Sequence, residues 1–559
     1  MAQVHTRVGA FGRLKGPPAV AFLAAVSVAF FLFCIYPRLG RPLAYDEVNF
    51  ALGGEAVVAT GRPFARAGFM EDRGTLDREF QYALWHPPLY VYTLGLAYAL
   101  FGVGEAQGRL VGVAGTLAAG VLLFFLTRRL TANSWAAVAA PGLFLLHPLT
   151  VQSSLLLDID GSVLLPLFLA AVLAGFDLIA RPSTGGLLRA ELAFGLALSA
   201  KLTTPLAIPP VLGLILVARG LKVQGWGWAG ALAFSGAGLF LGLWGTVSLL
   251  LGLPFAMPFE VTFAEFLMAL GSGLAGTETG WWLSPPLLGL FGWAVGRRAR
   301  YWAAGQKPGP ADFVALLGAV SLGAYLGRTA GYFPKYHIAA LPLVIATVVV
   351  ELAGCLDGLG RRTLAAGFGG AAAGLIAGLA LGDGPFFWTV GSYGHPPLVA
   401  AGSLLAGLIL AALERQRSVP AGVVLGLVAA FAGWAAVTDL IQRSAPYSTG
   451  YFYGSAGNVE AARLLDGLLG PGEYYVAAKE VAYYAANRNY IDMYTAYALL
   501  ARQRAFDGRL LGREIRVWAV FVQDPGLRPF FEAKLGPAYR LAARAEDYAI
   551  YVRAERPPD

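Results

Sequence analysis

The sequence is poor in charge and almost without cysteine. Only 14% of its 559 residues are Asp, Glu, Lys or Arg, against roughly 25% in an average soluble domain. With 57% hydrophobic residues and a mean hydropathy of +0.60, that scarcity excludes a soluble enzyme and describes an integral membrane protein of many spans. The two cysteines, Cys34 and Cys355, lie in or beside apolar stretches, which excludes a disulfide framework and a cysteine-based metal site. A net charge of +8 would point to nucleic acid in a soluble chain. Here it records where Lys and Arg sit relative to the bilayer, and no nucleic-acid partner is expected. What is abundant is glycine, 72 residues spread through the apolar segments, as expected where membrane helices pack through small residues.

The basic N-terminus MAQVHTRVGAFGRLKG precedes an apolar run from Pro18 to Tyr36 with no small-residue cleavage site after it, so a retained first helix is expected. Basic clusters then punctuate the chain at Arg128-Arg129, Arg181 with Arg189, Arg219 with Lys222, Arg297-Arg298-Arg300, Arg361-Arg362, and Arg415 with Arg417. If these are cytoplasmic, the alternate loops are external and hold few Lys or Arg, which satisfies the positive-inside rule in one threading. The threading needs about thirteen transmembrane helices, near 18-37, 107-127, 135-153, 161-180, 187-201, 204-218, 226-251, 283-296, 311-327, 338-356, 364-382, 397-413 and 420-440. The N-terminus is then cytoplasmic and the C-terminus outside.

PPLYVYTLGLAYALFG, Pro87 to Gly102, would invert every downstream loop if it crossed, so it is expected as an interfacial helix. The stretch 37-106 becomes one external loop with interfacial helices, the second being VNFALGGEAVVATG behind Asp46-Glu47. Residues 1-440 are expected as an all-α polytopic domain, and 441-559 as a small α/β extracytoplasmic domain. In the latter, NVEAARLLDGLL and PGLRPFFEAKLG have helical spacing, EYYVAAK and IRVWAVFVQ look like buried strands, and YRLAARAEDYAIYVRA a closing hairpin. No catalytic motif is visible there.

The threading puts the unusual polar residues on the external side: Asp46 and Glu47, His86 in WHPPLY, Asp158 and Asp160 in LLLDIDGS, Lys201 in SAKLTTP, and Arg328, Lys335, Tyr336 and His337 in GRTAGYFPKYHIAALP. Ionisable groups at membrane depth are costly and mark functional sites by default. Each has an ordinary alternative. Asp-Glu in a loop can simply be solvated, and DID can cap a helix as readily as hold a divalent cation with a phosphate. His86 can satisfy a backbone carbonyl, and the lysines can snorkel to the interface. Together, cations from three segments and carboxylates from two others suit a negatively charged lipid headgroup. Cations neutralise its phosphate, and a carboxylate accepts a proton from an attacking hydroxyl. The reaction that uses these parts is sugar transfer from a polyprenyl phosphate.

The motif order resembles the GT-C class of glycosyltransferases: Asp-Glu after the first helix, His-Pro-Pro-Leu before an interfacial helix, an Asp opening the next external turn, a Lys ending a Gly-rich helix, and a late KY segment followed by LPL. Within that class it is most similar to the dolichyl-phosphate-mannose protein mannosyltransferases and the bacterial lipid A aminoarabinose transferases. The resemblance covers roughly residues 18 to 350. It implies Asp46 as the catalytic carboxylate with Glu47 beside it, and Lys201, Lys335 and Arg328 at the donor phosphate. It also implies His86 at phosphate or sugar, and Asp158 at sugar or acceptor, with Asp160, Tyr45, Tyr336 and His337 as further contacts. His86 and Trp85 depart from the aminoarabinose branch, which has Lys and an acidic residue there. This argues against lipid A aminoarabinose modification, and the metal requirement stays open between none and a divalent cation.

The resulting expectation is an inverting transferase moving a sugar from a polyprenyl-phosphate donor to a hydroxyl of a protein, glycan or lipid, on the outer face of a bacterial inner or plasma membrane. Two other readings use a similar parts list: an oligosaccharyl transferase or ligase fed by a lipid-pyrophosphate glycan, and a lipid or solute transporter. Transporters tend to show internal repeats and midplane sites. The halves of this chain show no convincing self-similarity.

Overall fold

The computed structural model describes residues 17–43, 46–63, 87–131, 133–252, 285–326, 334–355, 367, 369–376, 379, 396–413, 421–444, 457–487, 489–503, 506–522 and 526–554. The chain divides into two compact units. One comprises Met1–Leu39, His86–Tyr90 and Arg109–Pro446; the other comprises Gly40–Trp85, Val91–Gly108 and Tyr447–Asp559.

The first unit is a helical membrane body. Its helices are α1 (Pro17–Ile35), α4 (Glu105–Leu130, from Arg109 onward), α5 (Ser134–Leu145), α6 (Pro148–Ser154), α7 (Leu165–Ala180), α8 (Thr184–Ala200), α9 (Ile208–Ala218), α10 (Lys222–Leu251), α11 (Pro285–Ala303), α12 (Pro310–Leu326), α13 (Leu341–Cys355), α14 (Pro396–Leu413) and α15 (Ala421–Ser444). Among the described residues, six helices are long and apolar enough to cross a membrane, and seven if α5 and α6 count as one bent span. Each expected apolar segment coincides with one of these helices, except 364-382, which falls largely outside the described residues.

One expected span differs in shape. The stretch 135-153 is not one helix: it bends by 62° between α5 and α6. The cause is Pro148, which disfavours helical geometry at His147. His147 is extended (φ −74°, ψ 126°), and its Nδ1 accepts the Leu149 N–H at 3.0 Å, capping α6. The break expected between 187-201 and 204-218 is present at Lys201, which is also extended (φ −157°, ψ 136°) and ends α8. A short turn, Pro205–Ala207, then leads into α9.

At the end of this body bearing the 297–300 basic cluster, half-buried arginines and buried carboxylates fasten α11, α12 and α13 together. Arg297 donates to Glu351 at 3.1 Å and to Tyr301 at 2.9 Å. Arg298 reaches Glu351 at 2.5 Å and Asp312 at 3.7 Å. Such networks hold helix ends in register where hydrophobic packing in lipid cannot.

The second unit joins α2 (Asp46–Thr60) and α3 (Leu89–Phe101, from Val91 onward) to the C-terminal α/β fold. That fold contains α16 (Asn458–Leu468), β1 (Tyr474–Ala477), α17 (Lys479–Tyr484), β2 (Tyr490–Asp492), α18 (Met493–Ala501), β3 (Arg509–Leu510), β4 (Arg513–Phe521), α19 (Leu527–Leu535), β5 (Tyr539–Ala545) and β6 (Tyr548–Arg553). The sheet order is β2-β1-β4-β6-β5, with β3 paired to β4. β1 runs parallel to both neighbours, while the β4-β6 and β6-β5 pairs are antiparallel. The helices and strands expected from periodicity all form. β2, β3, α17 and α18 are too short to carry a pattern of their own. Tyr475, Trp518, Phe531 and Ile550 are buried, and the Trp518 ring lies 5.5 Å from Phe531 and 5.4 Å from Phe506.

Candidate functional site

The first unit builds its polar site from an irregular turn. After α6 ends, residues 155–159 form no regular helix, and a single π-helical turn, Asp160–Leu164, opens α7. Such turns are rare and concentrate at functional sites. Asp158 Oδ1 accepts the Asp160 N–H at 3.2 Å, the Asx geometry that bends a chain back on itself. The Ser162 hydroxyl donates to the Asp158 and Ile159 carbonyls. Thr116 on α4 donates to the Gly161 carbonyl at 3.2 Å.

The turn can lie against α4 because that helix offers glycine. A Cβ on Gly115 would sit 2.2 Å from the Ser162 carbonyl oxygen, and one on Gly112 would sit 2.3 Å from that of Ser154. Both separations are far inside contact distance, so the close approach needs glycine at these positions. One turn before Gly112 on the same helix lies Arg109, fully buried. Its Nε donates to the Leu155 carbonyl and its Nη1 to the Leu39 carbonyl, both at 2.8 Å. Sequence reasoning missed this tie, although the signal was present: a lone arginine entering a long apolar helix.

Two lysines meet the two aspartates. Lys201, at the end of α8, places its Nζ 2.8 Å from Asp160 Oδ1 and 2.9 Å from Oδ2. Lys335, in the 3-10 turn Pro334–Ala339, pairs with Asp158 Oδ2. Both ammoniums also face one ring: Tyr336 has Lys201 Nζ 4.2 Å and Lys335 Nζ 5.5 Å from its centroid, within cation-π range. Asp158, Asp160, Lys201 and Lys335 are each at most 6% exposed, and His337 is fully buried on the same turn. Burial pushes the Asp158 carboxyl upward. The ammoniums of Lys335 and Lys201, with hydrogen bonds from Lys335 and the Asp160 N–H, outweigh it and hold the group below the usual carboxylate range. The cluster is thus two buried ion pairs whose ammoniums share one aromatic face.

Asp46 and Glu47 belong to the second unit, in the first turn of α2, where a helix favours negative charge. Glu47 is fully buried, and Asp46 is 8% exposed. Asp46 Oδ1 lies 3.7 Å from Nζ of Lys479 at the start of α17. Further along, Tyr483 donates to Glu55 Oε1 at 2.7 Å and Tyr484 to Glu105 Oε1 at 3.0 Å. Burial, then the neighbouring Glu55 carboxylate, push the Tyr483 hydroxyl up, so it remains a donor. Three of the expected site residues, Tyr45, His86 and Arg328, lie outside the described residues. Among the described residues no group of three His, Cys, Asp or Glu side chains is placed to hold a metal ion.

The chain resembles known proteins in part of its sequence and in its fold. Residues 85–240 match the family model described as dolichyl-phosphate-mannose-protein mannosyltransferase. No curated protein matches the sequence significantly. Among solved structures, ArnT from Cupriavidus metallidurans bound to undecaprenyl phosphate superposes with a TM-score of 0.55 at 16% identity, covering 96% of this chain and 98% of that one. The same protein in its apo state gives 0.53 at 17% identity, covering 96% and 97%. At such identity the likeness is one of fold. In fold along nearly its whole length, and in sequence across residues 85–240, the chain resembles GT-C glycosyltransferases of the mannosyltransferase and ArnT type.

Proposed function

We propose that this multi-pass membrane protein is an inverting glycosyltransferase that moves a single sugar from a polyprenyl phosphate to a hydroxyl acceptor. The observation that carries the reading is the meeting of Lys201 and Lys335, from distant parts of the sequence, over the ring of Tyr336. Two buried ammoniums at membrane depth suit one kind of ligand, a lipid whose headgroup is an anion. The ArnT structure, with its bound undecaprenyl phosphate, supports the lipid class by analogy of fold.

In this reading the donor phosphate enters beside the lysines and exchanges with the carboxylates of Asp158 and Asp160, so the ammoniums pass from one anion to another. Arg328 and His86 complete the phosphate and sugar contacts. The acceptor oxygen attacks the anomeric carbon and forms the new glycosidic bond as the bond from that carbon to the phosphate oxygen breaks. The bonding pair leaves on the phosphate, where the cations stabilise it. The acceptor proton passes to the carboxylate of Asp46. A single displacement inverts the anomeric configuration. The proposal includes about thirteen spans with the N-terminus in the cytoplasm, and an outward-facing site and C-terminal domain in a bacterial inner membrane.

The test uses a panel of undecaprenyl-phosphate-linked monosaccharides and pyrophosphate-linked glycans incubated with membranes containing the protein. Consumption of a monophosphate-linked sugar, with release of undecaprenyl phosphate, is the expected result. Consumption of the pyrophosphate-linked glycans alone would make the protein an oligosaccharyl transferase. Movement of lipid across vesicles without a glycosidic product would make it a transporter. The Asp46→Asn variant is expected to lose on the order of 10²- to 10⁴-fold in transfer while still binding undecaprenyl phosphate.

A further inference from the structure

The second unit holds its acidic segment from several directions. Leu43, three positions before Asp46 and 1% exposed, has both backbone polar groups taken by side chains of the C-terminal fold. Its N–H donates to the Tyr484 hydroxyl at 2.7 Å, and its carbonyl accepts from Asn458 Nδ2 at 2.8 Å. The same Tyr484 hydroxyl donates to Glu105, so one phenol is fixed between two parts of the loop. Lys479, five residues before it on α17, faces Asp46 itself, and Tyr483 fixes Glu55 on α2.

We infer that α16 and α17 of the C-terminal fold form a clamp on the catalytic segment, with Asn458, Lys479 and Tyr484 as positioning residues for the Asp46 carboxylate. The inference rests on Asp46 being the base. A buried backbone amide or carbonyl must be paired, and here both groups of Leu43 are paired by side chains of α16 and α17, so its placement follows theirs. The Lys479 contact at 3.7 Å, with both side chains less than one fifth exposed, is an ion pair beyond hydrogen-bonding distance. It orients the carboxylate without a hydrogen bond of its own. Other charged groups near this face are Glu47 and Glu55 on α2, Glu105 at the start of α4, Glu480 on α17 and Asp492 at the end of β2. Lys479 is a cation that the structure sets against Asp46.

The clamp acts on geometry at the base and leaves the lipid phosphate to Lys201 and Lys335. It therefore separates the two kinetic constants. With full-length protein in membranes and whichever undecaprenyl-phosphate sugar the panel shows to be consumed, Lys479→Gln and Tyr484→Phe should each lower kcat about tenfold, the scale expected for a misplaced reacting group. The donor KM should stay within about twofold. Lys479→Arg should recover most of the lost rate. In an Asp46→Asn background, Lys479→Gln should cause no further loss, because both act on one step. If Tyr484→Phe fails to accumulate, Lys479→Gln and Asn458→Asp carry the test. An active Asp46→Asn variant would defeat the base assignment itself. An inactive Asp46→Asn variant beside wild-type kcat in Lys479→Gln and Tyr484→Phe, or loss confined to donor KM, would overturn the clamp alone.

Discussion

Lys201 and Lys335 are each matched with one carboxylate, and this pairing has an asymmetric cost. Removing one member of a buried pair leaves the other charge stranded, at about 3–5 kcal/mol, whereas replacing both by apolar groups is often neutral. Asp160→Asn alone should therefore lower thermal stability in detergent more than the double variant Asp160→Asn with Lys201→Met. Equal losses would show that the pair is not formed. Tyr336 gives a second prediction at this scale. Tyr336→Phe keeps the ring face and should bind undecaprenyl phosphate like the native protein, while Tyr336→Leu removes it and should weaken binding by about 1–2 kcal/mol, the worth of a desolvated cation-π contact. Of these residues the sequence made the identities legible, because charges in apolar surroundings stand out. The partner of each lysine was not legible: nothing in SAKLTTP or FPKYH says which aspartate of DID it meets. That choice is made by where α8 ends and where the 3-10 turn begins.

Helix α4 shows how an element positions chemistry it does not itself carry. Gly115→Ala would drive a Cβ into the Ser162 carbonyl, within the turn that presents Asp158 and Asp160. Strong loss of lipid binding and transfer is expected from it. Gly120→Ala, whose Cβ would meet Leu145 at an ordinary 3.9 Å, should leave both unchanged. On α17, burial pushes the Glu480 carboxyl above its ordinary range, partly offset by Lys479 and by the Tyr548 hydroxyl that donates to Oε1 at 3.1 Å. A carboxyl raised in the folded state binds a proton more tightly there than when unfolded. Its favourable contribution is complete below the unfolded value and is lost as pH rises through the folded one. The protection of amides in β4 and β6, corrected for the intrinsic base-catalysed rise in exchange, should therefore fall as pH rises through the raised value of Glu480, and Glu480→Gln should flatten that fall. At this scale periodicity read the long helices and the main strands well. It failed at the α5-α6 bend, where a single proline overrides a continuous apolar run, and at α17, whose six residues are shorter than any pattern.

At the scale of the molecule, the multi-pass character follows from composition, and the fold agrees with ArnT along nearly the whole chain. The orientation is a prediction. With Cys34 and Cys355 replaced, a lone cysteine at Arg540 should react with an impermeant maleimide from outside the cell, and one at Arg181 only after permeabilisation. Reversed labelling would invert the threading and place the proposed chemistry on the other face. The attachment of the first loop to the C-terminal fold could not be read from sequence, because its contacts join residues 415 and 441 positions apart, and hydropathy carries no information at that separation.

That separation also sets an order in time. Leu43 leaves the ribosome among the first residues, and Asn458 and Tyr484, which satisfy its backbone, among the last. At typical synthesis rates roughly 20 to 80 seconds divide them. During that interval the membrane helices are inserted while the segment leading to Asp46 lacks the partners that fix it. If Asp46 is the base as proposed, a nascent or truncated chain would hold the paired lysines without a positioned carboxylate, so transfer competence would arrive only when translation is nearly finished.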